Sequence, residues 1–308
     1  MLSFTLNRGR VPPDFNVQTP FHLKDLITPD GLRVGFGTNR LGALGKRDRF
    51  RLLGRVWELG VRHFDTAPLY GSGDAERWLG EFLGTGKPEA TITTKCGLYP
   101  PIAQRSHLLR DLARMVRRIS GPIWNLAGKW LRKPRTDSEQ LPLARTLSEY
   151  RQIASDLEAS LEVSLTKLRR DHVDVFAIHE PDAGILEADE ILMKLVKLKT
   201  AGKTRGIAAA GHFHSLLPIA KSDGLPFDLY QFEHDIAGRN LSLWREAGLP
   251  SPIVFGAVAA TGADGGKRDD QTASALMKAA LESNPGGLVL FSTTKVTHAG
   301  EILTPLVA

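Results

Sequence analysis

The chain has 308 residues, 42% apolar and 24% charged, with 30 Gly, 18 Pro and one Cys, a globular composition that excludes disordered, collagen-like and disulfide-stapled classes. With Cys96 the only thiol, no apolar leader in MLSFTLNRGRVPPDFN and no apolar run of about 18 residues, the expectation is a reducing, cytoplasmic setting without a membrane span. The 40 Lys and Arg against 34 Asp and Glu leave +6, which invites an anionic partner unless the excess is concentrated in one segment.

In chain order, runs rich in Val, Ile, Phe and Thr alternate with amphipathic runs. The predicted strands run from Leu32 to Thr38, His63 to Ala67, Thr91 to Lys95, Val173 to His179, Thr204 to Ala210, Phe227 to Phe232, Ile253 to Val258 and Leu288 to Ser292. Between them, segments such as DRFRLLGRVWELG, AERWLGEFL, SEYRQIASDLEASLEVSLTKL, DEILMKLVKLKTAG, SLLPIAKS and TASALMKAALES repeat apolar residues at three- and four-residue steps, the period of a helix with one buried face. Eight strands, each followed by a helix, describe an α/β fold, the (β/α)8 TIM barrel, as one domain over residues 1–308. Neither Gly35-x-Gly37 nor Gly71-x-Gly73 extends to GxGxxG, and no phosphate-loop lysine occurs, so an open dinucleotide-binding sheet is not indicated.

Residues 98–150 break the alternation and are far longer than the few residues usual between a strand and its helix. We read them as a helical insertion after the third strand. Leu108, Leu109, Leu112, Met115, Val116 and Ile119 fall on one helical face. Residues 102–135 hold nine Lys and Arg and one acid, Asp111, a net +8 that leaves −2 for the remainder. The basicity therefore belongs to the insertion. Its uses are to admit an anionic substrate, to dock on an acidic protein or anionic membrane surface with Trp124 and Trp130 as anchors, or simply to form a solvated helix face. No nucleic-acid-binding motif accompanies the charge.

In a barrel, polar residues at the carboxyl tips of strands are where catalysis is sought. Asp65 and Tyr70 lie in HFDTAPLYGSGDAE after the second strand, Lys95 ends the third in TITTKCG, and His179 ends the fourth in VDVFAIHEP. A tyrosine is a poor acid at neutral pH, but a cation beside it stabilises its phenolate and lowers its pKa. Lys95 on the adjacent strand is placed to be that cation, Asp65 to fix the ammonium, and His179 to hydrogen-bond a substrate oxygen. Such a set suits protonation of a carbonyl oxygen as hydride reaches its carbon, the hydride coming from a cofactor because no side chain provides one. Taken singly, Asp65 would cap a turn and Tyr70 would be an ordinary half-buried aromatic; their order with Lys95 and His179 favours chemistry. Cys96 is read as a small apolar wall residue.

Outside the insertion, RVGFGTNRLG, GVRHFDTAPLYGSGDAERWLGEFL, TITTKCG, SLTKLRRDHVDVFAIHEPD, LKTAGKTRGIAAAG and LVLFSTTKVTHAGEI, taken together and in order, resemble the aldo-keto reductase family. The resemblance implies an NADPH-dependent oxidoreductase reducing an aldehyde or ketone, or oxidising an alcohol or sugar, with Tyr70 as general acid/base, Lys95 and Asp65 tuning it and His179 orienting the carbonyl. It implies an extended NADP(H) across the strand tips, with Gln231 on the nicotinamide amide, Asp65 on its ribose, and Ser292, Thr293, Thr294 and Lys295 around the adenosine 2′-phosphate. Two positions depart from the pattern. Ala210-Gly211 stands where Ser-Asn or Ser-Gly usually ends the fifth strand, and Gly256 is read near the place of a tyrosine that stacks on the nicotinamide.

Two other readings stay open. The resemblance also admits an NADP-binding regulatory subunit with little catalysis. Separately, His212, His214 and His234, with His179, suit the metal site of a barrel hydrolase; against it, the His-x-His does not follow the first strand, and our expectation is no metal.

Overall fold

In the computed structural model, which describes residues 21–27, 32–84, 86–98, 147–235, 237–258 and 273–307, eight parallel strands close on themselves in chain order. They are β1 (Val34–Gly37), β2 (His63–Asp65), β3 (Thr91–Cys96), β4 (Val173–His179), β5 (Thr204–Ala210), β6 (Leu229–Glu233), β7 (Ile253–Phe255) and β8 (Leu288–Phe291). Closure is made by β1, which pairs with both β2 and β8. Around the described barrel lie α1 (Lys46–Glu58), α2 (Ala75–Leu83), α3 (Leu147–Leu168), α4 (Asp189–Thr200), α5 (Phe213–Ala220), α6 (Arg239–Glu246), α7 (Ala273–Ser283) and α8 (Val296–Val307). The predicted TIM barrel is therefore the observed fold. Two helices escape the periodicity reading for different reasons. In α6 only Asn240, Leu241 and Trp244 are buried, too few for a repeat, and α8 contains Gly300 and Pro305, residues that read as breakers. The basic stretch 102–135, with its proposed helical face and Trp124 and Trp130, lies outside the described residues.

Alternation along each strand sorts the side chains into two cores. Phe36, Phe64, Ile92, Phe176, Ile178, Phe232, Val254 and Val289 point outward and meet the helices. Val175, Ala177, Ala208, Ala210, Leu229, Ile253, Leu288 and Leu290 point inward and fill the barrel, whose floor is closed by Phe21, Leu23 and Leu26. That floor is pinned by one carboxylate. Asp228 accepts from Lys199 Nζ of α4 at 2.7 and 2.9 Å, from the Ile207 amide of β5 at 2.8 Å and from the Phe21 amide at 3.3 Å.

Between floor and mouth the interior turns polar. His63 is buried, its Nδ1 3.0 Å from Thr91 Oγ1 and its Nε2 3.3 Å from Thr93 Oγ1, so one ring nitrogen donates and the other accepts. Burial, and then the Lys95 charge, push the imidazole pKa from 6.5 down to about 3. Folding thus requires neutral His63. In the unfolded chain this residue takes up a proton as pH falls below 6.5, while the folded chain resists until about 3, so the stabilisation is present above 6.5 and is lost through that window. We expect urea unfolding to show wild type losing on the order of 4 kcal/mol more than His63→Asn between pH 7 and pH 3. Parallel stability profiles of the two proteins would remove His63 as the cause.

Candidate active site

Side-chain alternation carries the inward register from His63 to Asp65 on β2 and from Thr93 to Lys95 on β3, and β4 ends on inward His179. After β2 the chain makes a tight 3-10 turn, Tyr70–Gly73, in which Gly71 and Ser72 both have φ near +58°. A side chain at Gly71 would run into the Trp78 ring of α2, so this close approach fixes how Tyr70 enters the barrel mouth.

Lys95 and Asp65 are 1% and 3% exposed. The ammonium donates to both Asp65 oxygens at 2.7 Å, to the Thr66 carbonyl at 3.0 Å and to the Tyr70 hydroxyl at 3.4 Å. The His179 ring meets the Tyr70 ring edge to face, centroids 6.1 Å apart. The four residues predicted as a set are therefore one cluster. Burial alone would discharge Lys95, but Asp65 and then Tyr70 outweigh it and raise its pKa, so the ammonium stays charged.

For Tyr70 the expected direction is reversed. Its pKa is raised, first by burial, with the Asp65 and Glu180 charges adding and Lys95 opposing. The physical reason is burial, which penalises the phenolate more than Lys95, itself shared with Asp65 at 2.7 Å, stabilises it. Tyr70 consequently holds its proton at neutral pH.

The cluster opens into a cavity of about 410 Å3 at the carboxyl ends of the strands. Gln231 of β6, Ala210 at the end of β5 with Gly211 after it, and Phe255 at the end of β7 with Gly256 after it form one side; Arg40, Ser292 and His298 form the other.

The Aldo/keto reductase family model matches residues 33–243. This chain belongs to that family. It is 41% identical over 68 residues to pyridoxal 4-dehydrogenase of Microbacterium luteolum, covering 21% of this chain and 20% of that protein. It is 25% identical over 211 residues to L-galactose dehydrogenase of Arabidopsis thaliana, covering 66% of this chain and 47% of that one. The chain thus spans less than half the length of these curated relatives. In fold it is similar to the holo form of an aldo-keto reductase from Bacillus halodurans, with a TM-score of 0.60 and 16% identity over 90% of this chain and 87% of the other.

As a member of the aldo/keto reductase family, the chain places its expected cofactor residues unevenly. Gln231 is buried and lines the cavity, as does the half-buried Ser292. Thr293 is buried, and its Oγ1 accepts the Lys295 amide at 3.1 Å at the start of α8 and lies 3.2 Å from His298 Nδ1. Thr294 is half-buried and Lys295 exposed beside the mouth. One residue before Gly256, the aromatic Phe255 lines the cavity. Sequence reasoning also passed over Asn39, Arg40, Glu180 and His298, all cavity residues; Asn39 and Arg40 lie in the quoted RVGFGTNRLG, so their place after the first strand was the available signal.

The histidines of the hydrolase reading diverge. His212 sits 4.0 Å from Glu180 and 3.7 Å from Glu233, His214 packs against Phe213, and His234 lies 3.4 Å from Ser283 Oγ. Among the described residues no group of three or more His, Cys, Asp or Glu is placed to hold a metal ion. Cys96 is buried in the outer core, its Sγ 3.6 Å from the Ala177 carbonyl. Removing the counter-charge tests how the cluster is held together. Asp65→Asn leaves a buried ammonium without its carboxylate, and denaturant unfolding is expected to show a loss of about 3 kcal/mol or more.

Proposed function

We propose that this protein is an NADPH-dependent oxidoreductase that reduces an aldehyde or ketone, or oxidises the corresponding alcohol or sugar. The observation that carries the reading is a phenol, Tyr70, 3.4 Å from a buried, carboxylate-paired ammonium at the floor of a cavity. The bound cofactor supplies the hydride. Tyr70, still protonated at neutral pH, gives its proton to the carbonyl oxygen, and in the reverse direction takes it back from the alcohol. Lys95 donates a hydrogen bond to the phenolate so formed, and Asp65 keeps Lys95 charged while it does so. His179 directs the substrate oxygen towards Tyr70.

The residues present fit a dinucleotide phosphate lying across the strand tips. Gln231 offers a buried amide for the carboxamide, Phe255 an apolar ring for the nicotinamide face, and Asp65 an acceptor for the ribose. Ser292, Thr293, Thr294 and Lys295 would hold the 2′-phosphate, and Arg40 faces the same end; the Lys295 and Arg40 cations favour NADPH over NADH. The names of the two relatives, dehydrogenases of pyridoxal and L-galactose, support a small carbonyl, alcohol or sugar as substrate. We place the activity in the cytoplasm and treat residues 1–308 as one barrel domain carrying the insertion. No helix among the described residues is long and apolar enough to cross a membrane.

A titration with NADPH and NADP⁺ followed by a carbonyl and sugar panel tests this. Tyr70→Phe is expected to lower kcat/KM by about a thousandfold or more while changing NADPH affinity by less than about twofold. Binding of NADPH with activity indifferent to this change would establish the regulatory-subunit reading, and failure to bind either nucleotide would overturn both. Lys295→Ala is expected to weaken NADPH by about tenfold and NADH hardly at all, by the loss of a charge-assisted phosphate contact.

A further inference from the structure

We propose that Lys167 and Glu76 are positioning residues for the proton donor: with Thr94 they form a clamp behind the barrel wall that holds the turn carrying Tyr70 within reach of Lys95. The proposal deepens the oxidoreductase reading above and rests on it.

Glu76 stands in the first turn of α2 and is 1% exposed. The proton transfer does not use it, and a carboxylate is sealed from water only where partners match it. The match comes from two other elements. Thr94 of β3, itself fully buried, donates its hydroxyl to Glu76 Oε1 at 2.7 Å, and Lys167 in the last turn of α3 brings its ammonium to 3.4 Å from Oε2. The same ammonium donates to the Gly73 carbonyl at 3.2 Å. Gly73 closes the turn that begins at Tyr70, and Thr94 immediately precedes Lys95. One ion pair therefore spans the two segments from which the phenol and its ammonium neighbour come, although neither Glu76 nor Lys167 lines the cavity.

The turn needs such a tie. Gly71, Ser72 and Gly73 have φ of +58°, +58° and +93°, and a serine takes up a left-handed backbone only where its surroundings impose it. Lys167 can impose it because its own place is fixed: α2 and α3 meet at Gly80, where a Cβ would strike the Lys167 carbonyl, and Gly80 shares a helix face with Glu76. At the reacting end, the Tyr70 hydroxyl lies 3.4 Å from Lys95 Nζ, the long limit of a hydrogen bond. An outward drift of about 0.5 Å ends that contact, and misplacing a reacting group by about 1 Å costs on the order of a hundredfold in rate. The clamp thus governs the chemical step and leaves the binding of carbonyl and cofactor alone.

The test follows hydride transfer from NADPH to 4-nitrobenzaldehyde in a single turnover of the full chain, so that product release does not mask the chemical step. Lys167→Met is expected to slow that step about thirtyfold while NADPH affinity changes by less than about twofold, and Lys167→Arg, which keeps a cationic donor, to recover most of the rate. Lys167→Met also leaves Glu76 buried without its cation and loses stability on that account. Combining Glu76→Gln with Lys167→Met removes both charges; this double variant is expected to regain the wild-type urea midpoint yet stay slow, because Lys167 no longer holds the Gly73 carbonyl. A rate that recovers together with the midpoint, or a Lys167→Met protein as fast as wild type, would overturn the proposal. A crystal structure of the double variant decides independently of turnover: Tyr70 Oη more than about 4 Å from Lys95 Nζ supports the clamp, and an unmoved 3.4 Å contact refutes it. Should wild type reduce no aldehyde, the oxidoreductase reading fails on its own and this distance still tests the clamp.

Discussion

An ammonium sealed inside a protein is tolerable only when something matches its charge at hydrogen-bond distance. In this barrel the match is Asp65, with both oxygens 2.7 Å from Lys95 Nζ. The other features of the mouth answer to that pair. His63, one turn of the alternation below, must be neutral because a second buried cation would have no partner. Tyr70 keeps its proton because burial disfavours the phenolate, and Lys95, shared with Asp65, does not offset that cost. The pair also joins two neighbouring strands at their tips, so the geometry of the site and the closure of the barrel there are the same fact.

The barrel was legible because its strands are buried on both faces and therefore read as short apolar runs rich in β-branched residues. From Val173 to His179 and from Thr204 to Ala210 the predicted and observed strands coincide. Lys95, Asp65 and His179 were legible for the opposite reason: each is a polar residue ending such a run. The remainder was set by contacts that no local pattern encodes. That Phe255 lines the cavity together with Gly256 depends on where β7 stops, and it stops at Phe255. That the Thr293 hydroxyl accepts the Lys295 amide depends on the turn at the start of α8. Glu180 sits in IHEP with nothing in its neighbours to announce a left-handed backbone. The direction of the Tyr70 shift is not legible there because burial, its main cause, is set by tertiary packing, and the Lys95 charge is shared with Asp65.

The floor of Phe21, Leu23 and Leu26 makes the barrel a cup and not a tube. Lys95 is nearly inaccessible from any side, and beneath it lie His63, the threonine hydroxyls and then an apolar stopper. The ammonium, kept charged by Asp65, has the Tyr70 phenol above it and this polar layer below. The stopper, pinned by Asp228, thus puts hydrocarbon between that layer and the end of the barrel opposite the cavity.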